Sequence, residues 1–516
     1  MGAPQHDLAR HRLTAAPLAA LACAALLAAP AGAADRGLAD LIQAGESNAA
    51  LARIEAAADV NAAQGDGTTP LHWAVYRLDV GLVDALLEAG AKPDVVNLYG
   101  SSPLSEAVKT GHVELVERLL AAGADVESPN ADGQTALMLA ARAGATAVAD
   151  ALIRHGANVN AREHWRGQTA LMWAADSSSA EIVKRLVEHG ADVEVRAFAN
   201  DWPTQVTSEP RGQYRPTGGL TALLYAARAG CTECVAAILD AGADIDRPSP
   251  DGVTPLMIAI DNFRFDTAKL LLERGANPHY SDWWGRTALY IAVDMASFTR
   301  RGPAGRITSN SKATAHDIIR MLLDAGVDPN TQLNMHRPGR GGNSGRFIDD
   351  LLTTGATPLL RAAIGADVES VRMLLEHGAL VDLPNVMGVT PLMAAAGIGV
   401  AGRDRTEDVE DRVIATLELL LDAGADIHAR VTDTTSRTAR IARPSTMTDR
   451  EGQTALYGAI RFGHARVVQY LIDRGAAVDI VDALGRSPID QALGRVGGRG
   501  DVVSEEVAAI LRAALD

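Results

Sequence analysis

An all-α solenoid of about twelve helix-turn-helix repeats is the fold this sequence predicts, and three observations predict it. The pattern G-x-[TS]-[PA]-[LI] opens at Gly67, Gly100, Gly133, Gly167, Gly219, Gly252, Gly285, Gly355, Gly388, Gly452 and Gly485. Seven of the ten intervals are 33 or 34 residues, and the other three exceed that period by 19, 37 and 31, so the repeat is constant apart from insertions. Each unit carries start and stop signals for two short amphipathic helices, neither of which buries its apolar face without neighbours on both sides.

The unit opening at Gly252 shows the local logic. Thr254 is placed to accept a hydrogen bond from amides at a helix start, and Pro255 presets φ at the first helical position. A second helix is expected over residues 267–273, stopped by Gly275, the residue type best suited to a left-handed cap. Upstream of the series, residues 38–43 and 48–54 form a helix pair without the Thr-Pro-Leu start, and Ala57 replaces the capping glycine. At the other end Ser504 caps a helix opening on Glu505 and Glu506, acids that suit the positive helix end.

A 33-residue period with this motif resembles the ankyrin repeat family. Thr69, Pro70, Leu71, His72 and Ala74 form T-P-L-H-x-A in full, and Gly123, Ala124, Asp125 and Val126 give the G-A-D-V helix exit. The resemblance covers nearly all of residues 34–516 and implies one solenoid with β-hairpin fingers beside a concave face, where partners bind. It places insertions 196–218, 331–354 and 430–449 on the finger side, and 296–313 and 397–411 between the two helices of a repeat, leaving the helices themselves uninterrupted. The histidine column, kept at His72, holds Met138, Met172, Met257 and Met393 in other repeats. Their recurrence with the packing period reads as core filling rather than a copper site.

Ahead of the repeats, Arg10, His11 and Arg12 precede an Ala/Leu-rich run ending near Ala29, then Pro30, Ala31, Gly32 and Ala33. This reads as a secretory signal peptide over residues 1–33, cleaved after Ala33. The run is too short and alanine-rich for the ~20 strongly apolar residues of a membrane span, and Ala20 weakens a lipid-anchor reading of Cys23. A periplasmic or secreted protein, monomeric and with no membrane insertion after cleavage, is therefore expected. Five lysines beside many arginines, and abundant alanine, point to a GC-rich bacterial genome. Without the signal, 46 basic residues face 63 acidic ones, a net charge of −17 that argues against nucleic acid as partner.

No catalytic residue set emerges: H-E-x-x-H and G-x-S-x-G are absent, and the glycine-rich loop 339–346 lacks the lysine and hydroxyl of a nucleotide-binding loop. No metal site or cofactor is expected, because no second Cys/His pair accompanies Cys231 and Cys234 at a ligand spacing. That C-x-x-C pair reads as a structural disulfide or inert thiols, with redox chemistry as the alternative.

A protein partner is expected instead. On that resemblance Tyr76, Arg77, Tyr99, Trp165, Arg166, Trp283, Trp284 and Arg286 are expected on finger tips and exposed inner-helix ends, together with Leu98, Met387, Lys109, Arg142, Asp176, Arg228, Asp261, Asn262 and Asp294. Only 4% of the chain is aromatic, yet three of its six tryptophans fall on fingers, where aromatic and arginine side chains are hot-spot types. The competing account is that insertions containing Trp202 and Phe347 fold over them. Four insertions carry net charges from +1 to +4 and the fifth, 397–411, carries −3. Two other functions are kept open: an enzyme or small-ligand receptor with a pocket built by inserted loops around His336, Arg340, Asp349 and Asp350, and a secreted host-directed effector.

Overall fold

The computed structural model describes residues 36–200, 217–297, 301–302, 305–306, 309–334, 351–400, 407–434, 449–494 and 502–516, and these described residues form twelve successive helix pairs. Eleven pairs follow the glycine-opened motifs and are numbered as repeats 1 to 11. Every inner helix packs on the next inner helix, and every outer helix on the next outer one, without a break. The architecture is the expected all-α solenoid. The signal segment 1–33, most of the insertions, and His336, Arg340, Asp349 and Asp350 lie outside the described residues.

The local signals work as read. Inner helix Pro255–Asp261 starts where Thr254 accepts the Met257 amide, with Pro255 at its first position, and Gly275 takes φ +89° after the second helix. That second helix starts two residues early, at Phe265, because the apolar Phe265 buries on the core. Of the motif threonines and serines, Thr454 alone makes no side-chain cap among the described residues.

Between the two helices of a unit the chain must turn through positive φ. Gly111, Gly144 and Gly230 do so, and so do the non-glycine Leu78, Ser178, Phe263 and Ala366. Ala57, at the glycine exit of the first pair, has φ +59°. Left-handed backbone costs a side-chain-bearing residue roughly 1–2 kcal/mol.

Two hydrogen-bond series bind repeat to repeat. In the T-P-L-H motif, His72 Nδ1 accepts from the Thr69 amide at 3.2 Å, so Nε2 carries the proton and donates to the Ser101 carbonyl of repeat 2 at 2.9 Å. The helix exits form the second series: Asn61 Oδ1 accepts from the Lys92 amide, Asp94 from Asp125, Glu127 from Asn158, and Asn160 from Asp192. Glu194 takes the Asp244 amide, and Asn330 that of Leu380, bridging 50 residues each. These bonds step over two insertions, so the stack keeps its register across them.

Finger-side insertions leave and re-enter on paired backbone. Ala199–Asn200 pairs antiparallel with Thr217–Gly218. Leu333 exchanges bonds with Ala356 and Gly355, and Val431 with Gln453 and Gly452. Insertion 397–411 departs from expectation: helix Glu407–Asp422 runs sixteen residues, taking up its second part. Its opening acids favour the positive helix end.

Met138, Met172, Met257 and Met393 are all at most 1% exposed, as a core column requires.

Candidate partner-binding face

Two columns of inner-helix side chains line one side of the stack. The fourth helical position holds Trp73, Glu106, Leu139, Trp173 and Tyr225 in repeats 1 to 5; three residues on come Tyr76, Lys109, Arg142, Asp176 and Arg228. This spacing puts both columns on one helix face. Trp73 and Tyr76 meet edge to face with centroids 5.7 Å apart. Arg142 lies over the Trp173 ring at 4.8 Å, and Arg228 over Tyr225 at 4.9 Å. Trp73 Nε1 donates to Gln64 at 2.8 Å, and Gln168 Nε2 to the Tyr225 hydroxyl at 2.7 Å.

The fingers stack beside these columns through main-chain bonds: Leu98 donates to Asp66, His164 to Asp132, Phe198 to Arg166, and Trp283 to Asp251. Their tips project apolar rings into solvent. Tyr99 is 78% exposed and Trp165 74%, and Tyr76 of the inner-helix column beside them is 62% exposed. Arg166 stacks over Trp165 at 5.1 Å. Buried Glu163 sets this tip by accepting the amides of Trp165, Arg166 and Gln168. Arg77 is exposed and donates to the Gln43 carbonyl at 3.2 Å.

In repeats 7 to 10 these columns and much of the adjoining fingers are covered, which corrects the expectation for Trp284, Arg286, Met387 and Asp294. Trp284 is buried, its carbonyl accepting the Asn334 amide where the chain enters insertion 331–354. Arg286 is buried over its ring, donates to Asp282 at 2.6 Å and lies 3.6 Å from Asp261. Burial opposes its charge, but those two carboxylates outweigh it and hold the guanidinium charged. Asp294 is fully buried and paired with Arg361 at 2.6 Å. Arg461, 1% exposed, donates to the Val400 carbonyl of insertion 397–411. Trp283 keeps an exposed edge beside buried Trp284.

Trp73, Trp173 and Tyr225 were not singled out by sequence reasoning. The signal was present, three residues before the Lys109/Arg142 column, but an inner aromatic is indistinguishable in sequence from core. Cys231 and Cys234 are joined in a disulfide at the start of outer helix Thr232–Asp240, away from this face; Cys231 also accepts the Cys234 amide as helix cap. Among the described residues no group of three or more His, Cys, Asp or Glu is placed to hold a metal ion, and no helix is long and apolar enough to cross a membrane.

Comparison with known proteins agrees with the geometry. The profile for ankyrin repeats in three copies matches residues 33–130, 104–197, 206–282 and 223–333, and that for a single ankyrin repeat matches 354–386 and 451–483. The chain is 32% identical over 187 residues to the human mitochondrial disaggregase, covering 34% of this chain and 24% of that protein. It is 30% identical over 249 residues to the mouse neurogenic locus notch homolog protein 1, 48% of this chain and 8% of that one. A phosphocholine transferase of Legionella pneumophila is 27% identical over 167 residues, 32% of this chain and 14% of that enzyme. The chain thus spans a quarter or less of the length of these relatives. Profile matches over more than half of its length, on the helix pairs and finger ladder described above, make this chain a member of the ankyrin repeat family.

Proposed function

We propose that this protein is a non-catalytic scaffold that holds a protein partner against the inner helices and finger tips of repeats 1 to 5. We propose further that it acts as a monomer in the bacterial periplasm or outside the cell, after cleavage at Ala33. One contrast carries the reading: Tyr76, Tyr99 and Trp165 stand in solvent, while Asp294 and Arg461, equivalent to Tyr76, and Trp284 and Met387, equivalent to Tyr99, are buried in repeats 7, 9 and 10. Exposed aromatic clusters of this kind are costly without a partner and supply hot-spot contacts with one.

The test is capture from the native periplasm with tagged full-length protein. A Tyr99→Ala/Trp165→Ala variant is expected to lose the bound protein while its thermal transition stays within a degree or two of wild type, since exposed side chains contribute little to stability. Equal capture by the variant, or the same loss from a Leu484→Ala control at the far end, overturns the site. Cell fractionation with amino-terminal sequencing of the mature protein tests the location.

A further inference from the structure

Within this face, among the described residues, one buried polar group has no hydrogen-bond partner. The Trp173 indole sits 9% exposed in inner helix Ala170–Asp176, and its N–H meets no acceptor. Its counterpart Trp73 donates to Gln64, and Tyr225 in the next repeat bonds Gln168. A buried donor left unmatched among matched neighbours points to an acceptor that comes from outside the chain.

The surroundings fix the charge of that acceptor. Arg142 lies over the Trp173 ring at 4.8 Å and makes no ion pair with any described residue. Of the acids in the two columns, Asp176 is tied to Arg228 at 2.7 Å and Glu106 to Lys109 at 3.0 Å. Arg77 is satisfied only by the Gln43 carbonyl, and Arg166 only by the Trp165 ring. Among the described residues, Arg77, Arg142 and Arg166 are thus cations of this face without a carboxylate partner, as is Arg162, bonded to the Gly167 and Arg196 carbonyls, on a chain whose overall charge is strongly negative. Elsewhere on the stack, exposed arginines such as Arg154, Arg185 and Arg274 have carboxylate partners. On the fingers Asp66 accepts from Thr68, and Asp132 is the exposed acid nearest in sequence.

Resting on the scaffold reading above, we propose that the partner presents an acidic segment, with an aspartate or glutamate carboxylate accepting the Trp173 N–H and pairing with the Arg142 guanidinium. A carboxylate suits both donors at once, and charge-assisted bonds in a partly desolvated groove are strong. The flanking Arg77 and Arg166 extend the same preference along the face, favouring further acidic residues on either side and speeding encounter.

The experiment uses full-length protein and short synthetic peptides of matched apolar content that are acidic, neutral or basic, with binding followed by fluorescence polarisation. Acidic peptides are expected to bind best and to weaken as salt rises. Arg142→Gln is expected to weaken them about tenfold. Replacing Trp173 by its benzothiophene analogue keeps the bicyclic ring and removes only the N–H; it is expected to cost several-fold in affinity at a nearly unchanged melting temperature. Arg274→Gln, on the outer side, is the control expected to change nothing. Equal binding of all three peptide classes, or wild-type affinity in Arg142→Gln, overturns the proposal, as does equal competition by single-stranded DNA, which would mark a general anion site. If the native partner is lost on Tyr99→Ala/Trp165→Ala but retained by Arg142→Gln, the acidic site fails and the scaffold stands; if neither variant affects capture, the scaffold reading itself fails.

Discussion

Arg361 in repeat 8 reaches back to Asp294 in repeat 7, placing Nε 2.6 Å from Oδ1 across 67 residues of sequence, with the carboxylate fully buried. This pair occupies the inner-helix columns that stay open in repeats 1 to 5, and closes them. Removing one partner leaves the other's buried charge less well compensated, so Asp294→Asn and Arg361→Met should each destabilise, by up to about 3–5 kcal/mol. The double variant Asp294→Leu/Arg361→Met should be less destabilised than the sum of the two, and closer to wild type than either. Chemical denaturation of the four proteins measures the coupling.

The adjacent tryptophans of repeat 7 should separate cleanly. Trp284→Ala removes a buried ring from beneath Arg286 and is expected to cost about 3–5 kcal/mol. Trp283→Ala, at 40% exposure, is expected to cost under about 1 kcal/mol. Paired melting curves check this, and equal losses would contradict the burial difference.

Strain at the helix-helix turns offers a gain. Ser178 is exposed and holds φ +58° where repeats 2, 3 and 5 carry glycine. Ser178→Gly should stabilise by up to about 1 kcal/mol, the relieved left-handed cost exceeding the added unfolded-chain entropy. Denaturant midpoints at constant m-value measure it.

Two histidines should respond to pH with opposite sign. His316 Nε2 lies 3.0 Å from Asp367, and that hydrogen bond raises its pKa despite burial. Burial alone would raise the Asp367 carboxyl, but bonds from His316 and Ser370 outweigh it and hold it low. The link is therefore complete between about pH 4 and 6.5, lost above as His316 deprotonates and below as Asp367 protonates. His72 is the reverse: burial lowers its pKa, so its contribution is full above about 6.5 and lost as pH falls through the lowered value. In melting profiles from pH 5 to 8, His316→Gln should lose stability mainly at the acid end, and His72→Gln mainly at the neutral end.

The sequence by itself determined the solenoid, because its determinants are local and repeat. Thr254, Pro255 and Gly275 specify helix ends within a few residues of themselves, and the 33-residue period makes each unit bury its face on the next. The exposed tips at Tyr99 and Trp165 were legible for the same reason: a finger's place is fixed by its own repeat. Only the tertiary structure decided where the face ends. Trp284 and Asp294 occupy positions equivalent to the exposed Tyr99 and Tyr76, yet segments far along the chain, Asn334 and Arg361, close over them. It also decided that Trp173 is a donor without an acceptor while Trp73 is not, since that depends on Gln64 being present on one finger and no acceptor reaching the other. Periodicity carries what each repeat does alone; burial and charge balance arise between segments whose separation the period does not encode.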